Sequence, residues 1–178
     1  MLGLQGADFI DGNAGNDKIN GGIGIDKIHR SQGDDIIFRE SGSDVLFGDN
    51  GNDRIYIGEG ANKAHGGEGD DYITAPSVEN RFFGGNGHDK LIGGVDSNSL
   101  DGGVGDDRLE GKDADDSPDG GEENNVLIGA GGDDNSFGYE GDDDLRGGAG
   151  ADHMLDFEAN DTMPVGEKAR QYDRRPWK

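Results

Sequence analysis

Large apolar residues in this chain neither recur at helical spacing nor alternate with polar ones; they return once in nine. In a frame opening at Gly3, the eighth position is Ile10, Ile19, Ile28, Ile37, Leu46 and Ile55 in the first six units. It is large and apolar in 15 of 18 units, the exceptions being Ala64, Pro118 and Ser136. Gly fills the first position 13 times and the fourth 13 times, and the sixth is Asp in 14 units and Asn in 4. The frame runs from Gly3 to Pro164 without insertion or deletion. Six residues rich in Gly and Asp predict a turn, because Asp bonds its local backbone and Gly reaches positive φ without steric cost. The next three, with one apolar centre, predict a short strand whose middle side chain points inward. Two nonamers then close a flattened turn of about 18 residues, odd units building one sheet and even units the other. The fold class predicted is all-β, a flattened parallel β-helix or solenoid of 18 units. It has about nine turns and a length of roughly 43 Å.

Units Gly66 to Thr74 (GGEGDDYIT), Gly84 to Ile92 (GGNGHDKLI) and Gly102 to Glu110 (GGVGDDRLE) match the pattern G-G-x-G-x-D-x-U-x in full, U being large and apolar. That pattern resembles the calcium-binding nonapeptide repeat of RTX (repeats-in-toxin) proteins, and it covers about nine-tenths of the chain. The resemblance implies a parallel β-roll over residues 3–164, with ions between successive loops on the same edge. Residues 165–178 form a basic tail, expected to be partly disordered or to cap the last turn.

The residues support the same chemistry. Sixth-position carboxylates of units i and i+2 lie in adjacent turns and repel by roughly 1 kcal/mol in water, and by more at lower dielectric. A hard divalent cation reverses the sign, since Ca²⁺ accepts six to eight oxygens from carboxylates and main-chain carbonyls. Magnesium demands a tighter octahedron, and zinc lacks its soft or imidazole ligands here. The expected metal ligands are Asp17, Asp35, Asp53, Asp71, Asp89 and Asp107 along the even edge, with Asp143 beyond them. On the odd edge they are Asp8, Asp26, Asp44, Asp134 and Asp152. Same-edge neighbours with Asp at both sixth positions number six on the even edge and four on the odd, so about ten ions are expected.

The two edges differ. Asn62, Asn80 and Asn98 are neighbours on the odd edge, and neutral amides can ladder without a metal, so a calcium-poor stretch is expected around units 7 to 11. Pro118 cannot donate to a sheet and should break or bulge the odd one. Around it Asp113, Asp115, Asp116, Asp119, Glu122 and Glu123 read as an acidic loop. On the even sheet Ile36, Phe38, Tyr56, Tyr72 and Ile92 should form an outward patch beside Arg54 and Lys90, read either as a contact surface or as cross-strand packing. His29, His65, His88 and His153 fall in different units with no close ligand spacing, and read as surface residues.

Composition changes this picture only once the repeat is known. The 178 residues carry 16 Lys plus Arg against 39 Asp plus Glu, a formal charge of -23. Ile, Leu, Phe and Val make up about 19%, within the range of disordered chains. Spaced once per nine, however, they suffice for a thin core, and the excess acid reads as vacant ligand sites. Disorder is therefore the state expected before calcium. The charge disfavours nucleic acid as a partner, there is no apolar run near the length of a membrane span, and the absence of Cys excludes disulfides and thiolate chemistry. No nucleophile elbow or phosphate loop occurs and the Gly-x-Gly matches are by-products of the repeat, so no enzyme activity is expected.

The function expected is an extracellular, secreted calcium-binding roll that folds on Ca²⁺ and has a structural, adhesive or assembly role. Two alternatives stand beside it. One is a calcium-dependent filament or matrix protein, associating end to end or through the Phe38, Tyr56, Tyr72 and Ile92 face. The other is the repeat module of a secreted enzyme or toxin of protease, lipase, epimerase or haemolysin type, with catalysis elsewhere. The resemblance also suggests type I secretion, although the ending Arg174-Arg175-Pro176-Trp177-Lys178 is not clearly an export signal of that kind.

Overall fold

The structure, a computed structural model, describes residues 1–76 and 78–156. The tail at 165–178 and most of the last nonamer, with Asp161, lie outside the described residues.

Among the described residues, seventeen short strands stack into two parallel sheets. The nine-stranded sheet comprises β1 (Phe9–Asp11), β3 (Lys27–His29), β5 (Val45–Asn50), β7 (Lys63–Glu68), β9 (Arg81–Asn86), β11 (Ser99–Val104), β13 (Ser117–Glu122), β15 (Asn135–Tyr139) and β17 (His153–Leu155). The eight-stranded sheet comprises β2 (Lys18–Asn20), β4 (Ile36–Phe38), β6 (Arg54–Tyr56), β8 (Tyr72–Thr74), β10 (Lys90–Ile92), β12 (Arg108–Lys112), β14 (Val126–Gly131) and β16 (Asp144–Ala149). Every strand pairs with the next strand but one, in a register that places Ile10 on Ile28 and Leu91 on Leu109. The expected 18-residue turn is thus the repeat of the fold, and the fold is a parallel β-roll.

The single apolar residue of each nonamer builds the core. Ile19, Ile37, Ile55, Ile73, Leu91, Leu109, Leu127 and Leu145 form one fully buried ladder. Opposite them stand Ile28, Leu46, Ala64, Phe82, Leu100 and Met154, with Ala64 stacked directly beneath Phe82, so that a small residue takes up the bulk of its neighbour. At about 25 cal/mol per Å² of apolar area, each rung contributes only a few kcal/mol, so the stack is held by repetition of thin layers.

Pro118 departs from expectation. It neither breaks nor bulges the strand; β13 keeps full register with β11, pairing Leu100 with Pro118. The loss falls on the other side, where β13 and β15 pair only at Asp119 with Phe137 and Gly121 with Tyr139. In this roll a main-chain N–H donates to the carbonyl 17 residues ahead, as Gly12 does to His29 at 2.9 Å. Pro118 cannot serve Asn135 in that way, and the Ser117 hydroxyl reaches the Asn135 carbonyl instead, at 3.4 Å. The supposed acidic loop is likewise ordinary solenoid: residues 113–116 make a regular turn between β12 and β13, which carries Asp119 and Glu122.

The outward aromatic residues pack along the sheets. Phe38 stacks on Tyr56 at 5.0 Å and Tyr56 tilts against Tyr72 at 5.9 Å. Lys18 and Lys90 cover the ends of this row, over Phe38 and Tyr72. Ile36, Phe38, Tyr56, Tyr72 and Ile92 are all half-buried, which favours the cross-strand reading over an open contact patch. A tighter row lies on the other sheet, where His29, Phe47, His65 and Phe83 stack at 4.2, 4.8 and 4.7 Å. Two of the four His therefore belong to an aromatic ladder.

Glycine is required where the turn passes through positive φ. At the fourth position Gly42 has φ 140, and a Cβ there would overlap the Gly24 carbonyl. Val78 occupies the equivalent place at φ 75, a conformation costly for a β-branched residue. Val78→Gly is expected to stabilise the calcium-loaded protein by about 1 kcal/mol, the relief of left-handed strain outweighing the extra freedom of the unfolded chain. A denaturant midpoint that falls rather than rises would contradict this.

Candidate metal centres

The sixth-position carboxylates divide their two oxygens between separate tasks. One oxygen ties the turns together: Asp53 N–H donates to Asp71 Oδ1 at 2.7 Å, Asp71 N–H to Asp89 Oδ1 at 2.8 Å, and Asp89 N–H to Asp107 Oδ1 at 2.7 Å. On the other edge Asp116 N–H reaches Asp134 Oδ1 at 2.9 Å and Asp134 N–H reaches Asp152 Oδ1 at 3.2 Å. The second oxygen points inward. Oδ2 of Asp53, Asp71, Asp89, Asp107, Asp116 and Asp134 is buried without a hydrogen-bond partner, in residues only 1–3% exposed. Burying a carboxylate oxygen without a partner is costly, so each is a strong demand for a cation or a proton.

First-position glycines shape the space beside these oxygens. A Cβ on Gly84 would press on Asp89 Oδ2 and lie 2.5 Å from the Gly102 carbonyl oxygen. Gly48, Gly66, Gly102 and Gly129 have the same surroundings, each meeting its own unit's Asp and the carbonyl one turn ahead at 2.5–2.7 Å. Removing the side chain thus opens a cradle bounded by a carboxylate oxygen and a carbonyl oxygen. Among the described residues no three carboxylate or imidazole groups converge as a metal cluster, so main-chain carbonyls must supply much of the coordination. An all-oxygen donor set of this kind fits calcium.

Without a cation the cradles favour protons. Burial pushes the Asp71 carboxyl up to about 8, with the neighbouring Asp89 and Asp53 adding to the rise. Burial likewise raises Asp53, Asp107 and Asp116 to about 7, and Asp89 and Asp134 to about 6.

The chain matches the profile of the RTX calcium-binding nonapeptide repeat over residues 1–28, 29–63, 56–75, 83–118, 110–140, 119–154 and 137–163. It belongs to the RTX calcium-binding nonapeptide repeat family. No curated protein matches it.

In RTX terms the twelve expected ligands all stand at sixth positions of the roll, but their neighbours differ. Asp8, Asp17, Asp26, Asp35 and Asp44 continue the ladder of Oδ1 bonds, with Asp8 N–H reaching Asp26 at 2.7 Å and Asp17 N–H reaching Asp35 at 2.5 Å. Asp143 accepts from Asn125 N–H at 2.7 Å. Where the repeat has Asn, the amide nitrogen replaces the inward oxygen and bonds locally. Asn62 Nδ2 donates to the Gly60 carbonyl, Asn80 Nδ2 to the Val78 carbonyl at 2.6 Å, and Asn125 Nδ2 to the Glu123 carbonyl at 3.0 Å. The first position changes in step, with Ile57 and Ala75 in place of glycine in the Asn62 and Asn80 units, both buried. These cradles hold methyl groups and amide donors, the opposite of a cation site.

Two features escaped the reading of the repeat. Arg30 and Arg39 also replace first-position glycines, and both side chains turn inward: Arg39 pairs with Asp26 and Asp44, and Arg30 with Asp35. Their signal was legible as breaks in the glycine column. A second, exposed ladder runs along the fifth position, where Asn52 N–H reaches Asp34, His88 N–H reaches Asp70, and Asp106 N–H reaches His88 Nδ1, at 2.9 to 3.0 Å. It places His88 in a structural bond.

The raised carboxyl groups make metal-free stability depend on pH. Each binds its proton more tightly in the folded chain, so the stabilisation is complete below the unfolded value near 4 and is lost as pH climbs toward 6–8. Chelator-treated protein should therefore show more β structure by circular dichroism near pH 4.5 than near pH 8. A metal-free roll that is most stable at pH 8 would contradict the assignment.

Proposed function

We propose that this chain is an extracellular calcium-binding roll whose folding is switched by Ca²⁺. The observation that carries the reading is the row of buried, partnerless Oδ2 atoms, which at Asp53, Asp71, Asp89, Asp107 and Asp134 stand beside a glycine-opened carbonyl. The candidate ligands are Asp53, Asp71, Asp89 and Asp107 on one edge and Asp116, Asp134 and Asp152 on the other, with Asp8 and Asp143 at flanking turns. With the ion present, each pair of like charges becomes a bridge between turns, and binding free energy becomes folding free energy. At low calcium the self-repelling chain stays open, and at extracellular calcium it closes, in keeping with a family typical of secreted proteins. No catalytic role is assigned, and the chain's contribution is structural or adhesive.

End-to-end association is a second reading, favoured by the first turn, where Leu2, Leu4 and Phe9 are 76, 77 and 68% exposed. A further turn stacked there, from a second copy or from a preceding part of a longer chain such as a secreted enzyme, would cover them.

Circular dichroism at neutral pH should show a β signal that appears with millimolar calcium and disappears with excess chelator; an unchanged spectrum would sink the reading. Asp89→Asn should lower the number of bound ions by at least one and raise the calcium concentration needed to fold. Sedimentation at graded calcium separates a compacting monomer from an assembling one.

A further inference from the structure

Two of the cation positions in this roll already contain a cation. Arg39 stands at the first position of its nonamer, where glycine opens the other cradles, and its side chain is fully buried. The guanidinium runs into the space over Gly21, whose Cβ direction it blocks. There it bonds the carboxylates of both turns: Nε donates to Asp44 Oδ2 at 2.7 Å, Nη1 pairs with Asp26 Oδ2, and Nη2 lies 3.2 Å from the Gly24 carbonyl. Arg30, one nonamer earlier and on the opposite edge, fills its cradle with fewer bonds, pairing with one oxygen of Asp35 alone and leaving Asp35 Oδ2 and the arginine Nε without a partner. Its Cδ packs over Gly12, Nη1 lies 3.1 Å from Asp35 Oδ1 and 3.0 Å from the Asp17 carbonyl, and Nη2 reaches the Ile36 carbonyl at 2.5 Å. Both side chains are 0% exposed.

These are the same donors that a calcium ion takes in the other cradles, carboxylate and main-chain carbonyl oxygens. Asp26 and Asp44, the partners of Arg39, are absent from the buried oxygens that lack a partner, whereas Asp35, Asp53, Asp71, Asp89 and Asp107 all appear among them. A divalent ion could enter the Asp26 and Asp44 cradle only by expelling a buried guanidinium that bridges two carboxylates with charge-assisted hydrogen bonds, a role for which the several donors of Arg are suited.

We infer that Arg30 and Arg39 are built-in substitutes for calcium, one on each edge, and that the cradles between Asp17 and Asp35 and between Asp26 and Asp44 bind no metal. The ten acidic pairs expected from the repeat then fall to about eight. On the odd edge the metal-free region becomes continuous, passing from Arg39 through Ile57, Ala75 and Asn98, while the even edge opposite keeps its vacant carboxylates from Asp53 to Asp107. The N-terminal turns thus carry their own positive charge into the fold, and calcium is required chiefly beyond them.

The inference rests on the calcium-binding reading above and is tested separately from it by counting ions on the full chain. Native mass spectrometry and equilibrium dialysis with calcium alone should give at least one more ion per chain for Arg39→Gly than for the wild type. Arg30→Gly should do the same, and the double variant should gain at least two. Glycine is the residue that most units carry there, so these variants restore the repeat. If the wild type binds no calcium, the reading of the whole chain fails; if it binds calcium and the variants bind the same number, the arginine inference alone fails. Crystals of the calcium-loaded wild type provide the measurement that needs no variant. Anomalous density should be present between Asp71 and Asp89 and absent between Asp26 and Asp44, and an ion in the latter place with Arg39 turned outward would overturn the inference.

Discussion

The structure depends on how a carboxylate can be buried once per turn. Among the described residues, the sixth-position Asp residues from Asp26 onward must be inside, because Oδ1 receives the N–H that links each to the preceding turn on its edge. Burying that oxygen also buries the other, and a buried anionic oxygen needs a positive partner. The apolar ladder is too thin to absorb such a cost repeatedly, with one inward residue per nonamer. Whatever neutralises Oδ2 therefore decides whether the chain is folded.

The roll meets this requirement in three different ways along its length. On the even edge from Asp53 to Asp107, and on the odd edge at Asp134, glycine leaves a carbonyl-lined space suited to a hard cation. Around Asn62 and Asn80 the charge is removed, the amide bonds carbonyls, and Ile57 and Ala75 fill the volume that glycine would leave. At Arg30 and Arg39 the side chain itself supplies the charge. First and sixth positions line the same cradle and change together in most units: an acid with glycine, an amide with an apolar residue in the Asn62 and Asn80 units, or an acid with arginine, while Asn98 and Asn125 keep Gly93 and Gly120 beside the amide. This coupling links a local choice of residue to the local demand for a cation. It also orders the chemistry along the rod, with metal demand concentrated on particular edges.

Much of the fold was legible because a nonapeptide repeat constrains register directly. A single apolar residue in nine, such as Leu91 between Lys90 and Ile92, can be buried only if successive units alternate between two sheets, and the 18-residue spacing follows. The ladder of Asp residues was legible for the same reason. Less was legible where a side chain's consequence depends on its neighbours in adjacent turns. Pro118 is a strand breaker in isolation, yet parallel pairing needs its N–H on one side only, and Ser117 bonds the carbonyl left over. Phe38, Tyr56 and Tyr72 read as a possible contact patch until their stacking along the turns and the lysines over them consume much of the surface.

The sequence by itself determined the period, the parity of the sheets, the core ladder and the identity of the acidic edge, because those follow from spacing and side-chain chemistry repeated many times. Only the tertiary structure decided which acids keep a vacant oxygen. Asp26 and Asp44 look the same as Asp71 and Asp89 along the chain, and the difference comes from Arg39, which shares their cradle in space. The direction of a long side chain is set by what it meets inside the fold, and a guanidinium that could have faced water instead lies between carboxylates.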